Sequence, residues 1–257
     1  MSTHHGQFVW YELMTSDLDA AEAFYAPLMG WCLQDAGMPG FRYSIAGTAH
    51  GGIGGLMALD DVSRSQGIAP CWTGYVGVDD VDASARHLVE AGGAVHKAPD
   101  DIPGVGRFAV VADPQGAVFV LFKGSGSDEP PAVPPGTTGQ VGWHELMAAD
   151  GAAAFDFYAG QFGWRRTDAV DMGPLGTYQL WAGAGTTAGG MMTKPAEMPT
   201  ACWQYYFNVA GIDAAVAQVA AGGGRVLMGP HQVPGGSWIA NCLDPQGAAF
   251  SLVAPVR

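Results

Sequence analysis

The sequence predicts an α+β protein in which one domain is present twice in tandem. The main observation is an internal repeat: residues 10–31 and 143–164 are identical at 12 of 22 positions, and the segment at 113–117 recurs at 244–248. The second observation is a fixed order of hydrophobic patterns, in which a strand pattern is followed by a helical one and then by further strand patterns, twice in each copy. Four β-α-β-β-β units are therefore expected.

The two copies are separated by a segment that cannot form a core. Residues 124–140 consist mainly of Gly, Ser, Pro and Thr, a composition that is typical of a linker. We therefore place a first domain at 7–123, the linker at 124–140 and a second domain at 141–255.

The first unit begins with a strand and a helix. Apolar side chains alternate over residues 8–15, which predicts a half-buried strand. Asp17 stands at the N-cap position of a helix over 18–29, and Gly30 follows its last residue. Pro27 is expected to end this helix early, because proline lacks a backbone N–H and its ring crowds the preceding turn.

The later elements of the first copy follow in the same order. Strands are predicted at 43–46, 53–59 and 72–78, and Asp80 is expected to cap a helix that stops near Gly92. Two last strands, at 108–112 and 117–122, are joined by an Asp-Pro-Gln-Gly turn.

Charge and cysteine usage exclude several classes of partner. The chain has 11 Lys plus Arg against 24 Asp plus Glu, a net charge of −13. Nucleic acids and anionic membrane surfaces require a basic patch, which is missing, and no run of about 18 apolar residues could span a bilayer. Residues 1–6 show no basic segment followed by an apolar one, so we expect no secretion signal. The four Cys are widely spaced. We expect reduced, buried thiols and a cytoplasmic protein.

Two glutamates are the candidate catalytic residues. Glu12 shares a strand face with Trp10, and Glu145 shares one with Trp143, at matching places in the two copies. A carboxylate beside an indole in a partly dry pocket has a raised pKa and can transfer a proton. The alternative is that each glutamate has an architectural role and binds backbone amides or an arginine.

Aromatic and basic side chains complete the set of candidate ligand contacts. Trp10 and Trp143 offer flat rings on which an aromatic ligand can stack, or they fill a cavity that is no longer used. Tyr43 and Tyr178 are further candidate ligand-binding residues. Arg107 could bind an anionic group in the first copy, or it could pair with a surface aspartate.

Several of these motifs together resemble a known superfamily. They are Glu12-Leu-Met-Thr-Ser-Asp17, Phe24-Tyr25, Gly30-Trp31, Gly92-Gly93 and Asp113-Pro114-Gln115-Gly116. Their order resembles the vicinal oxygen chelate superfamily, which includes glyoxalase I, extradiol dioxygenases and bleomycin resistance proteins, and most of all its fused, two-domain branch of glyoxalase-like proteins and hydroxylases. The resemblance covers both copies. It implies mixed sheets that curl around a ligand cavity, with the helices outside and often a divalent metal ion inside.

The residues at the positions that hold the metal in that superfamily are poor ligands here. In the first copy these positions fall on Trp10, near Thr73, near 55–57 and on Val120; in the second they fall on Trp143, near Gln204, near 190–192 and on Ser251. A divalent cation needs three or four converging N, O or S donors. We therefore expect no metal site and no cofactor.

These observations predict a protein that binds a small apolar or aromatic metabolite in a metal-free cavity. One alternative is a glyoxalase-like lyase, isomerase or hydroxylase that uses Glu12 or Glu145 for proton transfer. Another is a non-catalytic scaffold with filled pockets. Because the duplication supplies two copies within one chain, we expect a monomer or a weak homodimer.

Overall fold

The structure, a computed structural model, describes residues 4–126, 133–183 and 187–257. The first copy contains β1 (Phe8–Thr15), α1 (Leu18–Met29), β2 (Cys32–Asp35), β3 (Tyr43–Thr48), β4 (Gly51–Ala58), α2 (Asp61–Ser65), β5 (Cys71–Gly77), α3 (Val81–Glu90), β6 (Ala94–Ile102), β7 (Gly106–Ala112) and β8 (Val118–Gly124). The second copy contains β9 (Val141–Ala148), α4 (Gly151–Phe162), β10 (Arg165–Asp171), β11 (Thr177–Ala182), β12 (Thr187–Thr193), β13 (Cys202–Asn208), α5 (Ile212–Ala221), β14 (Arg225–Gln232), β15 (Trp238–Leu243) and β16 (Ala249–Ala254).

Each copy contributes one mixed, eight-stranded sheet. The strand orders are β2-β3-β4-β1-β5-β8-β7-β6 and β10-β11-β12-β9-β13-β16-β15-β14. In every βαβββ unit the first strand pairs in parallel with the last, as β1 does with β4 and β13 with β16, while the other pairs are antiparallel. This arrangement confirms the predicted α+β class and the four βαβββ units. No helix in the described ranges is long and apolar enough to cross a membrane.

The start of the first helix agrees with the prediction, but its end does not. The Asp17 carboxylate accepts a hydrogen bond from the amide of Ala20, as an N-cap does. The helix continues through Pro27 to Met29, and Gly30, at φ 67°, closes it by donating its amide to the Ala26 carbonyl. The expected early end at Pro27 is therefore wrong. So close to the C-terminus the missing N–H removes a single intrahelical bond, and the cap at Gly30 stabilises the last turn.

The cysteines are all free, but they are not all buried. Cys242 is buried and Cys71 and Cys202 are partly so, whereas Cys32 is exposed. Cys32 begins β2, which is the edge strand of its sheet, and side chains on an edge strand are less covered than those in the centre. The expectation of four buried thiols is therefore wrong for Cys32.

The chain folds into two compact units, each of which contains parts of both copies. Of the described residues, unit I comprises 4–9, 73–126, 144–183 and 187–204, and unit II comprises 10–72, 133–143 and 205–257. The tandem bounds 7–123 and 141–255 describe the repeat in sequence, and as domain bounds they stay a prediction.

The core of unit II joins the repeated Phe-Tyr and Asp-Pro-Gln-Gly motifs. The hydroxyl of Tyr25 donates to Asp244 Oδ2 at 3.1 Å and accepts from Trp72 Nε1 at 3.0 Å. The other carboxylate oxygen of Asp244 accepts the amides of Gln246 and Ala248 within its own turn. Because a buried polar group is costly unless it is hydrogen-bonded, the motif within α1 and the turn before β16 form one connected element.

Unit I contains the same arrangement with the copies exchanged. Tyr158 Oη donates to Asp113 Oδ2 at 3.2 Å and accepts from Trp203 Nε1 at 3.0 Å. Burial raises the pKa of Asp113 and that of Asp244. Trp164 is buried in this unit, and its Nε1 donates to the Gly6 carbonyl at 2.7 Å. The repeated motifs are thus part of the core.

Candidate functional site

The first candidate site is built where β1 and β4 run side by side in unit II. The two strands pair in parallel, with Glu12 opposite Gly55. The ring of Tyr43, from β3, crosses over Gly55, since a Cβ on that glycine would lie 2.0 Å from Tyr43 Oη. The ring of Trp10 passes over Gly52 in the same way, 3.1 Å from the position of a Cβ. The glycines of β4 therefore give two aromatic rings room to lie flat across the strand.

These rings bring three predicted site residues together. Trp10 Nε1 donates a hydrogen bond to Tyr43 Oη at 2.9 Å, and Tyr43 Oη donates in turn to Glu12 Oε2 at 3.1 Å. All three side chains are half-buried. We refer to Trp10, Glu12 and Tyr43 as the first-copy triad. It presents an indole, a phenol and a carboxylate in a fixed order of donor and acceptor.

The electrostatics of the triad hold the phenol in its neutral form. Burial raises the pKa of Tyr43 well above its usual range, and the negative charge of Glu12 raises it further. Tyr43 is therefore a donor toward the carboxylate and does not act as a base. A carboxylate has about four lone-pair sites, so Glu12 can accept a further hydrogen bond from a ligand while Tyr43 holds it.

The second copy repeats the strand geometry in unit I but buries its carboxylate more deeply. Glu145 lies opposite Gly190 in the parallel pair of β9 and β12, and the ring of Tyr178 covers Gly190, 2.2 Å from the position of a Cβ. Glu145 is only 7% exposed. Burial raises the pKa of the Cys202 thiol, and the negative charge of Glu145 raises it further. The two groups therefore lie close together. Trp143, in unit II, is half-buried on β9.

His144 is a residue whose importance the sequence did not indicate. It points to the face of β9 opposite to Glu145, where its ring stacks on Phe8 with centroids 4.3 Å apart and planes at 9°. The Ala188 carbonyl accepts a hydrogen bond from Nδ1 at 2.8 Å. Burial lowers the pKa of this imidazole to about 4. His144 is thus a neutral, half-buried histidine with a structural role. In the sequence, only its position next to Trp143, which places it on the other face of the strand, separates it from the candidate site.

Arg107 is held by carboxylates. Its guanidinium donates to both oxygens of Asp82, at 2.6 and 2.9 Å, and to Asp101 at 2.9 Å. These bonds raise the pKa of Arg107 and lower that of Asp82. Of the two interpretations of Arg107, the structure favours pairing with surface aspartates over binding of an anionic ligand.

The donor set does not fit the divalent metal of the superfamily that the sequence resembles. Trp10 and Val120 offer no ligand atom, and the glycines at 55 and 190 are covered by tyrosine rings. In the second copy Gln204 and Ser251 would supply only neutral oxygen atoms. Among residues 4–126, 133–183 and 187–257, no group of three His, Cys, Asp or Glu side chains is close enough to bind a metal ion. A divalent cation needs three or four such donors, so these residues do not form its usual site.

A separate surface pocket lies in unit I and contains none of the candidate residues. It has a volume of about 450 Å³ and is bordered by α3, α4 and the turn before β8. Its lining includes His87, Pro114, Gln115, Asp156 and Phe157. The predicted site residues are therefore found on the sheet strands and not in this groove.

Comparisons with known proteins agree with the fold and with the repeat. The family model described as Glyoxalase/Bleomycin resistance protein/Dioxygenase superfamily matches residues 7–121 and 140–252. A protein of Mycobacterium bovis named "Putative glyoxylase CFP32" is 33% identical over 248 residues, covering 96% of this chain and 94% of its own. The anthracycline biosynthesis protein DnrV of Streptomyces peucetius is 32% identical over 262 residues, covering 96% and 93%.

Two kinds of solved structure share the fold at low sequence identity. The Mn(II)-bound glyoxalase from Novosphingobium aromaticivorans has a TM-score of 0.67 at 15% identity, over 99% of this chain and 83% of that one. A substrate complex of homoprotocatechuate 2,3-dioxygenase from Brevibacterium fuscum also has a TM-score of 0.67 at 15% identity, over 96% and 79%. With both copies matched by one family model and relatives aligned along nearly the whole chain, this protein belongs to the glyoxalase/bleomycin resistance protein/dioxygenase superfamily.

Proposed function

We propose that the protein binds a small apolar or aromatic metabolite at the first-copy triad, without a divalent metal ion. The observation that carries the proposal is the hydrogen-bond chain from Trp10 through Tyr43 to Glu12. The three side chains are half-buried, so they are ordered by one another and remain within reach of a ligand. Ligand sites typically combine apolar or aromatic walls with a few fixed polar groups, and this cluster has both.

Each member of the triad would have a separate task. The Trp10 indole would stack on a flat ring of the ligand. Glu12 would accept a hydrogen bond from a ligand hydroxyl, and Tyr43, neutral and donating, would hold the carboxylate in place. A hydrogen bond to a charged acceptor contributes about 1.5–3 kcal/mol, which is enough to orient a ligand that is bound mainly by apolar contact.

The names of the relatives support an aromatic ligand. DnrV is named for anthracycline biosynthesis, and anthracyclines are polycyclic aromatic compounds. The mycobacterial relative is named as a glyoxylase, which supports an activity on small carbonyl compounds as the alternative.

The enzyme alternative is favoured by the orientation of Glu12. A carboxylate that accepts a hydrogen bond from Tyr43 and lies beside an aromatic wall can take a proton from a bound substrate, as a lyase, an isomerase or a hydroxylase requires. Glu145 is the second candidate for this role, because it is buried and lies near Cys202.

Calorimetric titration with 1-naphthol tests the binding proposal. We expect binding by protein that has been treated with EDTA, and weaker binding by the Glu12→Gln and Tyr43→Phe variants. Glu145→Gln and Tyr178→Phe, the matching substitutions in the second copy, are the controls. If 1-naphthol binds at the first-copy triad, these two variants should bind it with unchanged affinity. If neither 1-naphthol nor a wider panel of aromatic compounds binds, the scaffold alternative is correct.

Turnover separates a binding protein from an enzyme. The assay would use the hemithioacetal of glutathione and methylglyoxal, together with aromatic carbonyl compounds, again after EDTA treatment. Turnover that Glu12→Gln abolishes while 1-naphthol still binds would establish the enzyme alternative. Turnover that appears only when metal is added would overturn the metal-free proposal.

A further inference from the structure

We propose that Asn241 and Ser251, beside Tyr206, form a second ligand subsite that recognises a neutral carbonyl or hydroxyl oxygen. The inference rests on the proposed function in one respect, namely that the ligand is a small aromatic metabolite. It assigns a role to a part of the second copy that the first-copy triad does not include.

The three side chains are neighbours on adjacent strands of unit II. Ser251, in β16, lies opposite Tyr206 of β13 on one side and opposite Asn241 of β15 on the other. Side chains directly opposite one another across strands have Cβ atoms about 4.5–5.5 Å apart and point to the same face. A hydroxyl, a carboxamide and a phenol are therefore grouped on one face of the sheet.

This face is opposite to the aromatic core of unit II. The residues that alternate with the subsite are core residues: Phe250 lies 5.3 Å from Tyr25, and Tyr205 lies 5.3 Å from Tyr11, measured between ring centroids. Because successive side chains in a strand point to opposite faces, Ser251 and Tyr206 point away from that core. They are nevertheless buried, at 0% and 3% exposure.

Ser251 is a buried hydroxyl whose hydrogen-bonding capacity is not used within the described residues. Its Oγ has no hydrogen-bond partner there, and such a group costs about 1–3 kcal/mol. Two residues away in each strand, on the same face, the pair Ile239 and Val253 is only half-buried. The face therefore becomes accessible next to the serine, on the side from which a ligand could reach it.

The first copy shows that the fold does not require polar side chains at these places. Its β8 residue Val120 lies opposite Tyr75 and opposite Val110, in the same register as Ser251 opposite Tyr206 and Asn241. The tyrosine is thus retained in both copies, while two valines in one correspond to a serine and an asparagine in the other. An apolar pair satisfies the packing, so the polar pair is specific to the second copy.

The chemistry of the pair selects a neutral oxygen. A carboxamide and a hydroxyl each offer a donor and an acceptor, and none of the residues of β15, β16 or positions 205–208 of β13 is charged. An anionic ligand group would lack a cation here, and a cationic group would lack a carboxylate. A ketone, quinone or phenol oxygen on an aromatic ring matches this set of partners.

The test compares 1-naphthol with naphthalene, which has the same rings but no oxygen, by calorimetric titration of the full chain. For Ser251→Ala we expect about 3- to 10-fold weaker binding of 1-naphthol, the loss of one neutral hydrogen bond, with unchanged binding of naphthalene. Since the hydroxyl has no hydrogen-bond partner among the residues that the structure describes, the melting temperature of this variant should not fall.

Ser44→Ala is the matched control. Ser44 is also a buried strand serine in unit II, but its hydroxyl donates to Glu22. Its removal should lower the melting temperature and leave the affinity for 1-naphthol unchanged.

The outcomes separate this inference from the proposed function. If Ser251→Ala binds both compounds as the wild type does, the subsite is wrong, whether or not a water molecule occupies it, and the triad proposal is unaffected. If Ser251→Ala weakens 1-naphthol binding while Tyr43→Phe and Glu12→Gln do not, the subsite stands and the triad proposal fails. If neither 1-naphthol, nor naphthalene, nor any compound of the wider aromatic panel binds, both proposals fail.

Discussion

Replacement of His144 by phenylalanine should remove a large part of the protein's sensitivity to acid. In the folded chain the imidazole stacks on Phe8 and donates to the Ala188 carbonyl, and burial lowers its pKa from 6.5 to about 4. At about 1.36 kcal/mol for each pKa unit, this difference sets a ceiling of about 3 kcal/mol. Because the side chain is partly exposed, screening by water brings the expected value nearer to about 2 kcal/mol.

The sign follows from proton binding. The folded pKa is lower than the unfolded one, so between pH 6.5 and about 4 the unfolded chain binds more protons, and the free energy of unfolding falls as the pH falls. Above pH 6.5 the contribution of His144 is fully present. Asp113 and Asp244 act in the opposite direction, since their raised pKa values favour the folded state at low pH and this contribution is lost as the pH rises. The difference between wild type and variant isolates the histidine.

Urea unfolding at several pH values from about 4 to 8 provides the measurement. The wild type should lose about 2 kcal/mol more than His144→Phe between pH 6.5 and about 4, while the variant should be less stable by a constant amount because the Ala188 carbonyl loses its donor. Tyr11→Phe, at the matching position of the first copy, is the control and should follow the wild-type profile. Parallel profiles for wild type and His144→Phe would refute the argument.

Three further predictions concern the core, the triad and Arg107. Tyr158→Phe removes the hydroxyl between Trp203 and Asp113 and should lower the free energy of unfolding by about 2 kcal/mol. Calorimetry should show a melting temperature roughly 4–8 °C lower. An unchanged melting temperature would mean that these hydrogen bonds do not stabilise the fold. Gly55→Ala must displace the Tyr43 ring, since the new Cβ would lie 2.0 Å from the tyrosine oxygen. It should therefore weaken 1-naphthol binding as Tyr43→Phe does. Gly126→Ala, where the new Cβ would meet no atom within 4 Å, is the control and should leave binding unchanged. Arg107→Ala should leave that affinity unchanged, because Asp82 and Asp101 hold the guanidinium; weaker binding in a titration would return Arg107 to the ligand site.

The fold could be predicted where the sequence repeats itself, and the prediction failed where strands are exposed. The caps at Asp17 and Asp80 and the strand that became β1 agree with the structure. β2 and β6 show no clear alternation of apolar and polar residues, because each is an edge strand that is largely exposed. Alternation requires one covered face, and an edge strand of mixed polarity does not show it.

Strand parity was enough to predict which residues belong to the candidate site, but not which contacts they make. Strand parity placed Trp10 and Glu12 on one face. That the Tyr43 ring contacts them depends on the register of β3 against β4, which the sequence does not contain. The sequence shows Ser251 only as a weak metal ligand, because a buried hydroxyl without a hydrogen-bond partner can be recognised only when its neighbours in space are known.

The reciprocal Tyr–Asp bonds have a consequence for how the chain could be divided. The tyrosine of the first copy binds the aspartate of the second, and the tyrosine of the second binds the aspartate of the first. A half-chain expressed alone would have both groups without their partners, and it could satisfy them only by pairing with another half. Two halves produced from separate genes should therefore reassemble, as expected if a symmetric pair of identical subunits preceded the fusion. Once joined, each half was free to diverge at positions such as Val120 and Ser251 while the bonds between the halves were kept.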